Sequence, residues 1–156
     1  MKWVLYDFKS AKEAWFEEVE SLYLKKINHY EKFEIQHLKT SKSDRENAPI
    51  KLKFEEQQLL EKLTNDDFVI LFDEKGRNYD SIAFSDIINK VPGSGKKRGV
   101  IIIGGAFGVS DAIKKKANIT VSLSTMVMNH LIAEAVVLEQ FYRAQTIINR
   151  IPYHNI

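Results

Sequence analysis

The sequence predicts an α/β fold: a mainly parallel sheet with helices on both faces. Three features of the 156 residues carry that expectation. Residues 68–72, FVILF, and 100–103, VIII, are apolar throughout, as strands buried on both faces are. Strand-like and helix-like stretches alternate along the chain, the pattern of crossover connections. The second apolar run ends in Gly104-Gly105, with Gly108 three positions on. Ligands of open α/β sheets sit at the carboxyl ends of the strands, and a glycine pair there lets backbone approach a ligand or turn tightly. No repeat or linker divides the chain, so residues 1–156 are read as a single domain with a sizeable core.

In chain order, residues 2–6 are short and aromatic-rich and read as the first strand. Ser10, with Glu13 three residues on, predicts a capping box at the start of a helix. Phe16, Val19, Tyr23, Ile27 and Tyr30 recur at spacings of three and four and give that helix its apolar face, expected in the core. Residues 33–38 alternate as a second strand. Residues 39–49, KTSKSDRENAP, show no periodicity. They are expected to form a polar surface loop, or a flap carrying Lys42 and Arg45 toward a substrate.

Residues 51–63 read as a second helix, broken by Asn65-Asp66-Asp67. The 68–72 strand is expected to end in a turn at Asp73-Glu74-Lys75-Gly76. Ile82, Ala83, Ile87 and Ile88 mark a third helix ending near Lys90, and a glycine-bearing loop around Lys96-Lys97-Arg98 precedes the 100–103 strand. Ser110 and Asp111 are expected to cap a short helix through Ala117. A strand over 118–123 follows, and Asn129 caps a last helix of about 130–149. Leu131, Ile132, Ala135, Val136, Val137, Leu138, Phe141 and Ile148 cover most of that helix's circumference. A helix apolar nearly all round must be buried nearly all round. One of its faces is therefore expected against a partner subunit, most simply in a two-fold homodimer, with Val137 or Ile148 facing the partner.

Composition narrows the function classes. There is no cysteine, which excludes disulfides, thiolate metal sites and a cysteine nucleophile. That fits a reducing compartment, and a cytoplasmic location is expected. No apolar run approaches the roughly 20 residues of a membrane span. The start, MKWVLYDFKSAKEAW, has no secretory h-region. His29 and His37 read as surface residues, no histidine pair has metal-ligand spacing, and no metal is expected. Charge is divided: residues 1–85 carry 14 Lys+Arg against 17 Asp+Glu, net −3, and residues 86–156 carry 9 against 4, net +5. The basic half holds the glycine-ended strand, a footprint suited to a polyanion or simply a solvated basic face. Neither the dinucleotide G-x-G-x-x-G nor the P-loop lysine motif is present.

Four short patterns occur together in order: Gly104-Gly105-Ala106-Phe107-Gly108; Leu123-Ser124 leading to His130; Glu139-Gln140-Phe141-Tyr142-Arg143-Ala144; and Pro152-Tyr153-His154. In this the chain resembles the RlmH-type ribosomal RNA large-subunit methyltransferases, over about residues 68–156. The resemblance implies a SPOUT-type α/β knot, with the carboxyl-terminal segment threaded into a trefoil. It implies S-adenosylmethionine as cofactor, 23S rRNA within the ribosome as substrate, N3 of a pseudouridine in the helix 69 hairpin as acceptor, and a homodimer. On matching positions it implies cofactor binding by Phe72, Gly104, Leu123, Ser124, Thr125, Met126, Val127 and Met128. Relatives often carry proline where this chain has Asn129.

The chemistry of that reaction sets roles for the remaining residues. Methyl transfer is an in-line displacement, so catalysis is mainly the positioning of two reactants. The acceptor imide must also lose its proton. Arg143 is expected to stabilise the charge that spreads onto the oxygens beside N3. His154 is expected to accept the proton or position the base, and Tyr153 to stack on the base or hydrogen-bond it. Arg143 also has a structural reading, an ion pair with Glu139 one turn earlier, and His130 reads as a cap or packed loop residue. The tail 152–156 is expected to find little core to pack against. Two other functions remain open on sequence: a ribosome-binding dimer without enzymatic turnover, and a small α/β enzyme using a phosphorylated ligand.

Overall fold

The computed structural model describes residues 1–8, 13–40, 48–105 and 107–155. Five strands, β1 (Lys2–Asp7), β2 (Lys32–His37), β3 (Asp67–Asn78), β4 (Arg98–Ile103) and β5 (Ile119–Ser122), form one sheet in the order β2-β1-β4-β3-β5. Every pairing is parallel. Among the described residues, α1 (Ala14–Asn28), α2 (Ala48–Lys62), α3 (Ser81–Lys90) and α4 (Asp111–Lys116) connect them in turn, with a 3₁₀ turn at Val91–Ser94, and α5 (His130–Ile148) follows β5.

The apolar run of β4 is explained by its place at the centre of the sheet, between β1 and β3. A strand sends alternate side chains to opposite faces, so a central strand must be apolar on both. Ile101 and Ile103 join Trp3, Leu5, Ile70 and Phe72 on one face, under α1, α3 and α5. Val100 and Ile102 join Val4, Tyr6, Val69 and Leu71 on the other, under Leu59 of α2 and Ile113 of α4. Val4, Leu5, Val100, Ile101 and Ile102 are fully buried. Each such side chain contributes about 1.5–3 kcal/mol to stability through burial. At the amino ends, Asp67 and Arg98 stand opposite each other in the β3–β4 ladder. Arg98 Nε and Nη2 each donate to a carboxylate oxygen of Asp67 at 2.8 Å.

Several expectations are corrected. The predicted capping residue Ser10 and the predicted flap residues Lys42 and Arg45 lie outside the described residues. Helix α1 starts at Ala14 behind Glu13, which makes no side-chain capping bond. Ser110 stands at the start of α4 but does not cap it with its side chain; its hydroxyl donates instead to Glu56 Oε1 at 2.8 Å, tying α4 to α2. Strand β3 does not stop at Phe72 but continues to Asn78. Asn129 does cap α5, accepting from Leu131 N at 2.9 Å. Val137 is fully buried in the core of the chain itself, contrary to its expected place against a partner. Ile132 is exposed on α5 and Ile148 is half-buried. No helix among the described residues is long and apolar enough to cross a membrane.

Candidate active site

A cleft of about 660 Å³ opens at the carboxyl edge of the sheet, where β4 and β5 end and β3 leaves its ladder after Phe72. Three chain segments and the first turns of α5 build its walls. The first is an excursion in β3. Phe72 and Arg77 both stand opposite Val121 of β5, so Asp73, Glu74, Lys75 and Gly76 bulge out of the ladder. Asp73, Glu74 and Lys75 line the cleft.

The second wall is the glycine turn after β4. Gly108 N donates to Gly105 O at 3.0 Å and closes it. Gly108 has φ +75°, a conformation that a side chain disfavours. A Cβ on Gly104 would stand 2.8 Å from the carbonyl of Gly108. The absent side chain therefore makes room for the protein's own returning backbone rather than for a ligand alone. Glu55 of α2 backs the turn, so that a Cβ on Gly105 would lie 2.9 Å from its Oε1. The Glu55 carboxyl is buried, which pushes its pKa up, while a hydrogen bond from Thr40 and the charge of Lys51 pull the other way.

The third wall is the loop after β5. Ser122 Oγ donates to Ser124 O at 3.0 Å, and Met126 N donates to Ser124 Oγ at 3.0 Å. Phe72, Gly104, Leu123, Ser124, Met126, Val127 and Met128 all line the one cleft; Thr125, from the same loop, does not. His130 also lines it, and its Nε2 is buried without a hydrogen-bond partner among the described residues.

Arg143, Tyr153 and His154 form a second cluster, outside the cleft wall. Arg143 Nη2 donates to Glu139 Oε1 at 2.5 Å, and Nη1 lies 3.1 Å from His154 Nδ1. Tyr153 Oη donates to the same Glu139 oxygen at 3.1 Å. The Arg143 guanidinium lies over the Tyr153 ring, 4.7 Å from its centroid, and Tyr153 meets Tyr142 edge-on at 5.0 Å. The tail therefore packs on α5, contrary to expectation. Burial and the bond to Glu139 push the Tyr153 pKa up to about 12, so the phenol keeps its proton at neutral pH. Glu139 likewise raises the pKa of Arg143. A guanidinium only donates, so His154 accepts at Nδ1 and carries its hydrogen on Nε2.

His37, read from sequence as a surface residue, is held at both ring nitrogens. Its Nδ1 lies 2.5 Å from Asp7 Oδ1 and its Nε2 3.2 Å from Glu20. Asp7, His37 and Glu134 bring ligand-type atoms within 4.8 Å of one another, but with both imidazole nitrogens engaged this reads as a hydrogen-bonded cluster.

Residues 1–154 match the family described as "Predicted SPOUT methyltransferase". A protein of Bdellovibrio bacteriovorus named Ribosomal RNA large subunit methyltransferase H is 53% identical over 156 residues, covering the whole of both chains. The chain belongs to this family. A Cytophaga hutchinsonii protein of the same name is 34% identical over 99% of this chain and 100% of its own. An Arabidopsis thaliana protein named Putative RNA methyltransferase At5g10620 is 34% identical over 83% of this chain and 67% of its own. This SPOUT chain is thus RlmH-type throughout its length. Within it, sequence reading missed the β3 bulge, because Asp73–Gly76 carries ordinary turn residues and the strand beyond it, Arg77-Asn78, is polar. It named Glu139 only as an ion-pair partner, whereas the RlmH-type chain uses it to hold Arg143 and Tyr153 together.

Proposed function

We propose that this chain transfers a methyl group from S-adenosylmethionine to N3 of a pseudouridine in 23S rRNA of the ribosome, as a cytoplasmic homodimer with a SPOUT-type trefoil knot. The observation that carries the reading is the single cleft shared by Phe72, Gly104, Leu123, Ser124 and Met126–Met128 at the carboxyl edge of the sheet. Family membership supports the reaction class.

The residues present fit that cofactor. Phe72, Ile103, Leu123 and Val137 give the cleft an apolar lining, and Asp73, Glu74, Lys75 and Lys114 bring both signs of charge to it, matching a ligand that carries a sulfonium, an ammonium and a carboxylate. The orphaned His130 Nε2 supplies a polar atom for a ligand to meet. S-adenosylmethionine supplies, when bound, a methyl group on a cationic sulfur.

The chain's own residues do the rest. Loop 123–128 and the backbone at Gly104 hold the cofactor by backbone and shape. Arg143, fixed by Glu139 and His154, brings a permanent positive charge to the acceptor ring and makes loss of the N3 proton easier. His154, with Nδ1 occupied, presents an N–H at Nε2 and so holds a base carbonyl rather than receiving the proton, which passes to water. Tyr153 stays protonated and positions the base. Because this trio lies outside its own protomer's cleft, a two-fold homodimer that sets one tail at the partner's cleft completes the site.

Labelled S-adenosylmethionine and ribosomes lacking the modification test the proposal. Label is expected in 23S rRNA, at N3 of one pseudouridine. Ribosome binding without any transfer would leave the non-enzymatic dimer instead.

A further inference from the structure

One residue lining the cleft is an exposed aromatic that the cofactor reading does not use. Phe107 sits at the tip of the glycine turn, 39% exposed, and lines the cleft. An aromatic ring in water forgoes the burial that holds such rings in cores. The ring is not on a slack loop. The turn beneath it is closed by the Gly108 N to Gly105 O bond, and Gly104 packs against Gly108. Lys51 Nζ, from α2, stands over the ring 5.8 Å from its centroid. Lys75 and Lys114 line the same cleft. S-adenosylmethionine offers a single carboxylate to such cations, whereas a nucleic acid has a phosphate at every nucleotide. Every base also has a π-face that an aromatic side chain can take, independent of sequence.

We propose that Phe107 is a substrate-binding residue that stacks on a base of the RNA at the mouth of the cleft, with Lys51, Lys75 and Lys114 meeting the adjoining phosphates. The proposal rests on the reading of the chain as an rRNA methyltransferase. Its chemistry is that of single-stranded or splayed RNA, where unstacked bases are open to aromatic side chains.

The test compares the full-length protein with Phe107→Ala, Phe107→Leu and Phe107→Trp. Alanine is expected to raise KM for unmodified ribosomes about tenfold or more, the scale of losing one base–aromatic stack. The affinity for S-adenosylmethionine by calorimetry and the mass by light scattering should stay unchanged. Tryptophan should restore KM, and leucine, apolar but without a π-face, should not. Lys51→Ala should weaken ribosome binding and flatten its salt dependence. A wild-type KM in Phe107→Ala, or rescue by leucine, overturns the proposal. Loss of cofactor affinity in Phe107→Ala would put the ring in the cofactor subsite, and loss of the oligomer would put it in a subunit interface; either overturns it too. If the unaltered protein transfers no methyl group, the enzymatic reading fails by itself. Filter binding of ribosomes then decides the stacking proposal, which equal binding by wild type and Phe107→Ala overturns.

Discussion

Tyr153 donates its phenol hydrogen to Glu139 across fourteen residues of chain, at 3.1 Å, and the oxygen that accepts it also accepts Arg143 at 2.5 Å. The carboxylate is the hinge-pin of the carboxyl-terminal cluster: it orients the guanidinium and fastens the tail to α5. Glu139→Ala is expected to free both, lowering kcat about tenfold or more while leaving the affinity for S-adenosylmethionine unchanged. Steady-state kinetics beside calorimetry measures this.

Removing the cluster outright should separate binding from turnover more sharply. Deletion of residues 152–156, or Arg143→Ala, is expected to lower methyl transfer by about two orders of magnitude, the scale of losing a positioned group and its orienting neighbour. The fold, by circular dichroism, and the cofactor affinity should persist, because Arg143 and the described tail residues 152–155 do not line the cleft of their own chain. A truncated protein that methylates ribosomes at the normal rate would refute the role given to the tail.

Gly104→Val and even Gly104→Ala are expected to abolish cofactor binding and lower Tm. The reason differs from the one sequence reasoning supplies. A Cβ there meets the Gly108 carbonyl at 2.8 Å before it meets any ligand, so the turn must open. Gly93→Ala is the control: a Cβ at Gly93 has no neighbour within 4 Å. Thermal melts and calorimetry on the two variants check the contrast.

Glu55 yields a prediction about pH. Its folded-state pKa is raised, chiefly by burial. Its protonation therefore stabilises the fold below the unfolded-state value, and that stability is lost as pH rises through the folded-state value. Glu55→Gln keeps an acceptor for Thr40 and removes the buried charge. It is expected to raise Tm at neutral pH by about 2–4 °C, the shift that 1 kcal/mol gives a chain of this size. The gain should shrink as pH falls toward about 4, where the unfolded carboxyl is itself half protonated. Melts across that range measure it.

For assembly, Ile148→Glu is the informative change, since Ile148 is half-buried on α5. Light scattering at micromolar concentration is expected to show a dimer for the unaltered protein and a monomer for the variant, because a charge would be buried unpaired. Val137→Glu is expected to unfold the chain instead, as Val137 is a core residue.

The sheet was legible because β4 and the first half of β3 announce themselves by composition: no residue between 100 and 103 tolerates water on either side. The cleft-lining residues were legible because the glycine pair and the Leu123-Ser124 loop are contiguous motifs. What lay beyond reach is non-local. Glu55 is fifty residues from Gly105 and touches it only through the fold. Ser110 has the composition of a helix cap, yet its hydroxyl goes to Glu56 because α2 offers a buried carboxylate nearby. The packing of Tyr153 on Tyr142 and Arg143 was hidden for another reason: Arg150 turns the chain back after α5 with φ +57°, and the left-handed position falls on that arginine rather than on the capping Asn149 before it.

The bulge in β3 has an implication for how this scaffold tolerates change. Since Phe72 and Arg77 both answer to Val121, the ladder assigns no partner to Asp73, Glu74 and Lys75, while Gly76 lies so close to the β5 backbone that a Cβ there would stand 2.7 Å from Val121. The three residues before Gly76 are therefore set apart from the register of the strands on either side. Changes among them would alter the height and charge of one rim of the cleft, whereas Gly76 must stay a glycine for the strand to rejoin the sheet. The site thus has an adjustable sill, and Gly76 is the fixed pin at its end.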